Sequence, residues 1–419
     1  MISKQTLKQV IADQASHIQH DHIVTRHKRS AIESFHDSAQ ITILSGIRRC
    51  GKSTILQDVR HRHQPSSHYI NFDDERLLQF TVDDFQPLLE VFLELLGEES
   101  CLYFDEIQNV DGWERFVRRM HDQGRKLYIT GSNANLLSRE FGTHLTGRHI
   151  PLTIYPFSFT EYCQFSQIDT SALSHTTEDK VRMIVATKSF LQDGGFPYYL
   201  KTKERDYLRL LYDDILYRDI ITRHNLPNEK PIRELAQFVA SNPGKELSFS
   251  KLKNMLGLSS PSTVKDYFSY FEQSYLFFIL NQYSPSLKKQ AYASKKAYII
   301  DTAMADMIGF RSRDDWGGYL ENAVFLELKR RGHEIFFYKD HTECDFIIRK
   351  GRAITTAIQV CFSLDHPDTR ARELEGLQDA ITHFSLNNGL LLTLEDEGES
   401  DGITIMPVWK WLLEQPETE

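Results

Sequence analysis

One stretch of nine residues has the composition and spacing of a phosphate-binding loop. Residues 46–54 are Gly-Ile-Arg-Arg-Cys-Gly-Lys-Ser-Thr, and they follow the β-rich run 39–45. This is the Walker A pattern, in which glycines let backbone N–H groups wrap a phosphate chain. Lys52 would supply charge to the β- and γ-phosphates, and the Ser53 hydroxyl would ligate Mg²⁺. We therefore expect ATP and Mg²⁺ as cofactors, held by Gly46, Arg48, Arg49, Cys50, Gly51, Lys52, Ser53 and Thr54.

Two acidic residues follow the loop at the end of a second apolar run. Asp105 and Glu106 come directly after Cys101-Leu-Tyr-Phe. An apolar run of this kind is typical of a buried parallel strand, which would deliver both carboxylates to one edge of a sheet. Asp105 would hold Mg²⁺ through water, and Glu106 would polarise the attacking water. A strand that simply ends in solvated acids is the alternative.

Two further positions could complete a hydrolytic site. The run 126–130 predicts another strand, between the first two, and Asn133 or Ser132 at its end could contact the γ-phosphate; an ordinary turn is the alternative. Arg148 lies in a loop of small residues and is a candidate finger for the site of a neighbouring subunit. Arg139 competes for this role, and a plain surface arginine is the alternative.

The composition of the chain indicates what kind of protein holds these residues. The chain has 419 residues, of which 41% are hydrophobic and 26% charged, so we expect several globular domains rather than a disordered chain. The longest purely apolar run, 275–280, is too short to cross a membrane. The start of the chain lacks the pattern of a secretory signal, and the five cysteines are scattered without CxxC spacing. We therefore expect a cytoplasmic protein.

Several segments together resemble one group of proteins. Besides the loop, they are Tyr69–Leu77, Phe104–Glu114, Ile129–Ala134 and the segment from Leu145 to Tyr162. The chain resembles the prokaryotic AAA-type P-loop ATPases with a C-terminal winged helix and a restriction-endonuclease-like domain of unassigned function. The resemblance covers essentially the whole chain. It implies an ATPase core with Lys52, Ser53, Asp105 and Glu106 in the roles above, favours Arg148 as the finger, and implies a ring or partial ring, with a hexamer as one option.

The predicted fold class is α/β, with four domains. Apolar residues recur at intervals of three and four over 208–221, which predicts an amphipathic helix in a helical lid. The domains are a P-loop ATPase core over 1–157, the helical lid over 158–226, a winged helix over 227–300, and a nuclease-like α/β domain over 301–419.

The predicted winged helix contains a basic segment in an acidic chain. Two helices around Gly257 predict a helix-turn-helix, and two β-rich runs follow it. The net charge of the chain is −9, yet residues 281–297 hold four lysines and no acid. Such lysines suit phosphate contacts, which give affinity with little sequence information. Protein packing is the alternative role. The candidate DNA-binding residues are Thr263, Lys265, Lys288, Lys289, Lys295 and Lys296.

The last domain resembles the PD-(D/E)xK nuclease core, with departures. Glu321 on a predicted helix and Asp345 on a predicted strand match two acids of that pattern, but Gln359 and Cys361 stand where it has an acid and a lysine. Glutamine is a weaker Mg²⁺ ligand than a carboxylate, and cysteine cannot supply the cation. Glu343, on the same strand face as Asp345, could substitute in a metal site. We therefore expect a nuclease remnant that binds DNA or a partner rather than cutting.

The sequence thus predicts an ATPase that couples hydrolysis to DNA binding, without nuclease activity. Branched or junction DNA is suggested only by fold analogy with junction resolvases. An ATP-dependent conformational switch that binds a protein partner, and an ATP-gated nuclease, are the alternatives.

Overall fold

The structure, a computed structural model, describes residues 1–16, 24–63, 67–133, 145, 147–170, 176–310 and 316–414. The chain divides into two compact units, Met1–Tyr155 and Pro156–Glu419. The finer division of the second unit into lid, winged helix and nuclease-like domain stays a prediction.

The first unit is built on a five-stranded parallel sheet. Its strands are β1 (Ile41–Ser45), β2 (His68–Asn71), β3 (Cys101–Asp105), β4 (Lys126–Gly131) and β5 (His149–Thr153). The strand order is β2-β3-β4-β1-β5, so β4 lies between β1 and β3, as the sequence predicts. Every residue of β1, β3 and β4 is buried. Burial on both faces explains why these strands are apolar runs without alternation.

Helices cover this sheet with apolar faces. They are α1 (Lys4–Ser16), α2 (Lys28–Ser34), α3 (Lys52–His63), α4 (Phe85–Leu96) and α5 (Trp113–Asp122), with short 3₁₀ turns at Glu75–Leu77, Val82–Asp84 and Ile107–Asn109. In α5, Trp113, Phe116, Val117 and Met120 recur at helical spacing and are buried in the core of this unit. That spacing gives the helix one apolar face, which its packing against the sheet requires.

The second unit holds two sheets. The small sheet contains β6 (Glu246–Leu247), β7 (Phe277–Asn281) and β8 (Lys295–Ile299) in the order β6-β8-β7, with antiparallel pairs. The larger sheet contains β9 (Glu334–Lys339), β10 (Glu343–Lys350), β11 (Ala353–Val360), β12 (Gly389–Thr393), β13 (Gly398–Ser400) and β14 (Ile403–Pro407). Its order is β13-β14-β12-β11-β10-β9. The strand predicted to carry Asp345 is confirmed as β10.

The second unit is otherwise helical. Its helices are α6 (Phe159–Phe165), α7 (Thr177–Asp193), α8 (Pro197–Thr202), α9 (Arg205–Asp214), a π-helical turn (Ile215–Thr222), α10 (Lys230–Ser241), α11 (Phe249–Met255), α12 (Pro261–Gln273), α13 (Leu287–Tyr292), α14 (Thr302–Ile308), α15 (Gly317–Arg330), α16 (Pro367–Phe384) and α17 (Val408–Leu413). The two helices predicted around Gly257 are present as α11 and α12. Ser260 caps α12 by accepting a hydrogen bond from the Ser262 N–H at 3.1 Å. Across the described ranges, no helix has the length and apolar character needed to span a membrane.

Candidate functional sites

The predicted phosphate loop lies at the carboxyl edge of the parallel sheet. Ser45 ends β1 opposite Gly131 of β4, and Asp105 ends β3 opposite Asn71 of β2. The loop 46–51 follows β1 directly, and α3 begins at Lys52. The amino terminus of α3, the positive end of its dipole, therefore faces this edge. The structure thus brings together the Walker A residues and the acidic pair.

The loop has the backbone that its sequence predicts. Gly46, Arg49 and Gly51 have φ angles of 151°, 63° and 100°. A Cβ on Gly46 would lie 2.0 Å from the carbonyl oxygen of Ile154, so only glycine fits there. The thiol of Cys50 is buried and donates to the same carbonyl at 3.2 Å. Burial raises the pKa of this thiol, which keeps it protonated and unreactive. The role of Cys50 is therefore structural: its hydrogen bond to Ile154 holds the loop.

A residue outside the motif also holds the loop. The Arg26 guanidinium donates to the carbonyl oxygen of Cys50 at 2.8 Å and to that of Tyr155 at 2.6 Å. These bonds fix the back of the loop to the end of the first unit. The sequence offers no signal for this role, because Arg26 lies in a polar segment without a recognisable pattern.

The charge of Lys52 is held inside the loop. Its side chain is 3% exposed, and Nζ donates to the carbonyl oxygens of Gly46 and Ile47 at 3.1 Å each. The same Nζ lies 3.6 Å from Oε1 of Glu106. Most of its partners are therefore neutral carbonyl oxygens. Phosphate oxygens could replace these acceptors without the loss of a close ion pair.

Asp105 and Ser53 form the oxygen donor set predicted for Mg²⁺. Asp105 is fully buried and accepts hydrogen bonds from Tyr69 at 3.2 Å and from Thr130. Burial, and then the charge of Glu106, raise the pKa of Asp105 to about 6, although hydrogen bonds from Thr130 and Ser53 oppose the rise. A hydroxyl beside a carboxylate is a donor set that suits a hard cation such as Mg²⁺. The residues present therefore fit the predicted cation.

Glu106 is held as an ionised carboxylate. Burial raises its pKa, but the charges of Lys52 and Arg48 and a hydrogen bond from Gln108 outweigh it, so the net pKa is lowered. Its backbone is in the left-handed region, with φ of 52°, and its N–H donates to Oγ1 of Thr130 at 2.9 Å. An ionised carboxylate at this position can accept a proton from water.

Thr130, which the sequence analysis did not single out, contacts both acidic residues. Its hydroxyl donates to Asp105 and accepts from the N–H of Glu106. Ser132 is buried at the same edge, with its hydroxyl 3.4 Å from the amide nitrogen of Gln108, and Asn133 is buried there too. A sensor role for Asn133 or Ser132 stays a prediction. The signal for Thr130 is a polar residue near the end of an apolar strand.

Arg148 lies at the opposite edge of the sheet. Its carbonyl oxygen accepts from the N–H of Ile41, the first residue of β1, at 2.8 Å, and its guanidinium lies 2.9 Å from Asp122. The length of β1, at about 3.3 Å per residue, separates Arg148 from the loop of its own chain. It therefore cannot act at that site in cis, and its role in trans stays a prediction. Arg139 falls outside the described residues.

The structure corrects the predicted basic patch. Lys288 and Lys289 are exposed on α13, but Lys295 and Lys296 are 6% and 2% exposed. Nζ of Lys295 donates to the carbonyl oxygens of Gln290 and Ala293 at 2.6 and 2.9 Å. Because both lysines are buried on β8, the interpretation of Lys295 and Lys296 as surface DNA contacts is wrong. On α12, Lys265 is exposed and Thr263 is half-buried.

Lys296 instead meets the predicted nuclease remnant. Its Nζ lies 3.0 Å from Oε1 of Glu321, 2.8 Å from Oε1 of Glu343 and 2.8 Å from Oδ1 of Asp345. The Tyr298 hydroxyl donates to the same oxygen of Glu321 at 2.6 Å. Burial lowers the pKa of Lys296, but the charges of Asp345 and Glu321 reverse this and raise it well above its ordinary value. The ammonium is therefore charged.

Gln359, which stands in the nuclease remnant where the pattern has an acid, makes two structural hydrogen bonds. Its Oε1 accepts from the N–H of Asp345 at 3.0 Å, and its Nε2 donates to Glu373 at 2.5 Å. The two ends of the amide thus bind β10 and α16, and the place of Gln359 in a nuclease remnant stays a prediction. Over the described ranges, no group of three or more histidine, cysteine or acidic side chains is arranged as a metal site.

The fold and the loop geometry define a class of protein. A parallel sheet in this order, with a phosphate loop after β1 and an acidic pair after β3, is a P-loop ATPase domain of the AAA type. In agreement, residues 38–163 match a family described as an AAA domain. Residues 186–314 match a domain of unknown function.

Relatives extend over most of the chain. An uncharacterized protein of Methanocaldococcus jannaschii is 34% identical over 398 residues, which cover 89% of this chain and 88% of that protein. An uncharacterized protein of Haemophilus influenzae is 30% identical over 397 residues, which cover 91% and 96%. The chain belongs to the same family as these proteins. Among solved structures, the Holliday junction branch migration motor RuvB of Thermotoga maritima is 14% identical over 65% of this chain and 93% of its own, with a TM-score of 0.31.

Proposed function

We propose that the protein hydrolyses ATP at the carboxyl edge of its parallel sheet. The observation that carries this proposal is the convergence of Lys52, Asp105 and Glu106 beside one glycine-bounded loop. Lys52 and the loop N–H groups would hold the phosphates, and Ser53 with Asp105 would hold Mg²⁺. Bound Mg²⁺ neutralises charge on the phosphates. Glu106 would accept the proton of the attacking water, since it is the ionised carboxylate at this edge.

Two substitutions test hydrolysis. Glu106→Gln keeps the size of the side chain and removes the base, so turnover should fall by on the order of 10²-fold or more while nucleotide binding changes little. Lys52→Ala should weaken both. Steady-state phosphate release and the affinity for a fluorescent ATP analogue measure the two properties. Glu90→Gln, which removes a surface pair with Lys4, is the control and should change neither. A Glu106→Gln variant with normal turnover would refute the assignment.

We also propose that the second unit binds DNA. In support, Lys265 is exposed on α12, and Lys288 and Lys289 are exposed on α13 between β7 and β8. Helices α10 to α12 with the sheet β6-β8-β7 support the winged-helix interpretation. The order α15, β9, β10, β11 supports the nuclease-like interpretation. Branched DNA as the preferred form rests on fold analogy alone.

Binding and ATPase stimulation across a salt series test the DNA proposal. Linear duplex, single strand and a four-way junction should be compared at matched salt, because phosphate contacts make affinity salt-dependent. Lys288→Ala with Lys289→Ala should reduce the slope of log affinity against log salt by roughly 0.9 for each phosphate that the variant no longer neutralises. Lys180→Ala with Lys188→Ala removes two exposed lysines of α7 and should leave the slope unchanged. Equal affinity for the junction and the duplex would exclude junction preference.

One observation favours a protein partner as the second candidate. Leu287 and Tyr292, on the same helix as the two lysines, are 82% and 85% exposed. Exposed apolar side chains close together are typical of protein contacts. Hydrolysis that ignores all three DNAs would assign α13 to such a partner.

A further inference from the structure

The second unit contains an open cavity of about 450 Å³ beside α13. It is bounded by β7, the segment 283–290, α15, β9 and one residue of β10. It is separate from the cluster around Lys296, whose residues line another cavity. Its volume lies in the range of about 300 to 1,000 Å³ that is typical of pockets for small ligands. The buried apolar side chains that line it are Leu280, Phe325, Ile335 and Phe336.

Two flat side chains line this cavity and are held in place by their neighbours. The Tyr283 ring packs edge-on against Phe336 and Phe384, with ring centroids 5.7 and 5.3 Å apart. The Arg349 guanidinium lies 5.3 Å from the centre of the Phe336 ring. Its Nε also donates to Oε2 of Glu334 at 2.7 Å. Aromatic rings and guanidinium planes are the surfaces on which unpaired bases stack.

The cavity also presents two side-chain amides. Asn281 on β7 and Gln290 on α13 line it, and both are half-buried. Over the described ranges, neither side-chain amide makes a hydrogen bond within the protein. Each amide has two donors and an acceptor, and asparagine and glutamine pair with adenine through both kinds of group. These amides are therefore available to the edge of a base.

The charge of the cavity and its rim favours an anionic ligand. Lys329, half-buried near the end of α15, and Arg349 line the cavity. Lys288 and Lys289 are exposed at its rim on α13. Among the described lining residues, Glu334 is the only carboxylate. A ligand with a phosphate group, such as a nucleotide, matches this excess of cations.

An exposed leucine lies at the same rim. Leu287 begins α13, lines the cavity and is 82% exposed, and the two exposed lysines follow it directly. Proteins that separate stacked bases insert apolar side chains, leucine among them, between base steps. A leucine beside two phosphate-binding lysines is suited to this insertion.

We propose that this cavity receives one unpaired base of DNA that is held by the two lysines of α13. Tyr283 and the Arg349 guanidinium stack on the base, the two amides bond to its edge, and Lys329 pairs with its phosphate. Leu287 fills the place that the base leaves in the stack. Removing a base from the stack costs least where it is already unpaired, so a bulge or a single-stranded end is the preferred form. The inference rests on the proposed DNA binding and specifies what is bound.

Three duplexes of one sequence test the inference with the full chain. The first is fully paired, the second carries one extra unpaired adenine, and the third carries an abasic residue in place of that adenine. At matched salt, anisotropy should show roughly tenfold higher affinity for the unpaired adenine than for the abasic residue, because only the adenine can stack. The abasic duplex measures the phosphate contacts alone. Equal affinity for these two duplexes would overturn the inference and leave the proposed DNA binding intact.

Variants test the stacking and the insertion. Tyr283→Ala and Leu287→Ala should each reduce the tenfold ratio to about threefold or less, with little change in affinity for the abasic duplex. The matched controls are Tyr198→Ala and Leu210→Ala, which remove an exposed tyrosine of α8 and an exposed leucine of α9. Both controls should keep the ratio. A ratio that survives both Tyr283→Ala and Leu287→Ala would overturn the inference.

A second variant covers a failure of Tyr283→Ala to fold, since Tyr283 packs on Phe336. Asn281→Ala with Gln290→Ala leaves these rings in place and removes both amides. It should lower the ratio by about threefold or more, because it removes the hydrogen bonds to the base edge. An unchanged ratio in this variant would exclude the two amides from base contact and overturn the site as drawn.

A mononucleotide separates failure of the cavity from failure of the DNA proposal. The probe is 2-aminopurine deoxyribonucleoside monophosphate, whose fluorescence falls when its base stacks, and Lys52→Ala protein avoids binding at the phosphate loop. Quenching that Tyr283→Ala removes, with none of the duplexes bound, would keep the cavity as a nucleotide site and refute the DNA proposal. Absence of both quenching and duplex binding would overturn both.

Discussion

Among the described residues, two sites bring a buried lysine close to carboxylates, and they are built differently. In the first unit, Lys52 donates to two loop carbonyls and lies 3.6 Å from the one carboxylate of Glu106. In the second unit, Lys296 lies within 3.0 Å of three carboxylates and bonds to no carbonyl among its described contacts. The backbone holds the first site in place, whereas opposite charges hold the second one together. Lys52 can therefore exchange its carbonyl partners for other acceptors, whereas Lys296 neutralises carboxylates that α15 and β10 bring together.

The largest effect that we predict concerns Arg148 as a finger that completes the ATPase site of a neighbouring subunit. If subunits assemble in a ring, Arg148→Ala should lower ATP turnover by on the order of 10³-fold, the usual contribution of an arginine finger. Arg118→Ala is the control, because Arg118 also pairs with Asp122 and should not affect turnover.

A mixing experiment decides whether Arg148 acts in trans. Arg148→Ala subunits have an intact loop, and Lys52→Ala subunits have an intact arginine. A mixture of the two inactive variants should regain turnover, measured as phosphate release. No recovery in a mixture that does co-assemble would confine the ATPase site to one chain.

The second prediction compares how much each of the two buried lysines contributes to the stability of its unit. Lys296→Ala removes the cation that pairs with the buried Glu321 and Asp345, although Glu343 keeps Lys339. It should destabilise the second unit by about 3 kcal/mol, whereas Lys52→Ala should cost the first unit under about 1 kcal/mol. Hydrogen exchange of β8 and β10, against that of β1 and β4, measures the loss in each unit separately. Equal effects of the two substitutions would contradict the distinction between the sites.

How far each site could be predicted depends on where its residues lie in the sequence. The proposed ATPase site follows from two short segments, because a strand carries its terminal residues to one edge of the sheet. The site around Lys296 needs β8, α15 and β10 to pack together, and no local pattern specifies which strand meets which helix. Local composition even misled the interpretation, since Lys295 and Lys296 count as basic residues in a polar segment.

A weaker signal for Lys296 was present. Lys296 and Tyr298 alternate on β8 with the apolar residues Ala297 and Ile299, and both polar side chains contact Glu321. Alternation places both on one face of the strand, which identifies a buried polar face. It does not identify Glu321 as the partner. The acids Glu321 and Asp345 were predictable from helix and strand order, but the role of Gln359 depended on Glu373, which lies on a later helix.

The third prediction sharpens the view that backbone and hydroxyl groups hold the first site. Thr130→Val keeps the shape of the side chain but removes the donor to Asp105 and the acceptor for the Glu106 N–H. A hydrogen bond to a charged group contributes about 1.5–3 kcal/mol, so kcat should fall by roughly tenfold or somewhat more. Thr42→Val is the control, because the buried Thr42 hydroxyl on the adjacent strand has no hydrogen-bond partner. Unchanged kcat in Thr130→Val would mean that the acidic pair keeps its position without it.

The smallest effect that we predict is that of Gln359→Glu, for which the sequence pattern and the structure predict different outcomes. By the pattern alone, Gln359→Glu would restore a metal-binding acid and raise cleavage. In the structure, Nε2 of Gln359 lies 2.5 Å from Glu373, so a second carboxylate would replace a hydrogen bond with a repulsion, which Arg372 beside Glu373 partly offsets. The variant should therefore lose about 1 kcal/mol of stability, measured by urea unfolding, and should cut no faster than the unsubstituted chain. Faster cleavage would place residue 359 among the cation ligands and return the second site to the arrangement expected from sequence.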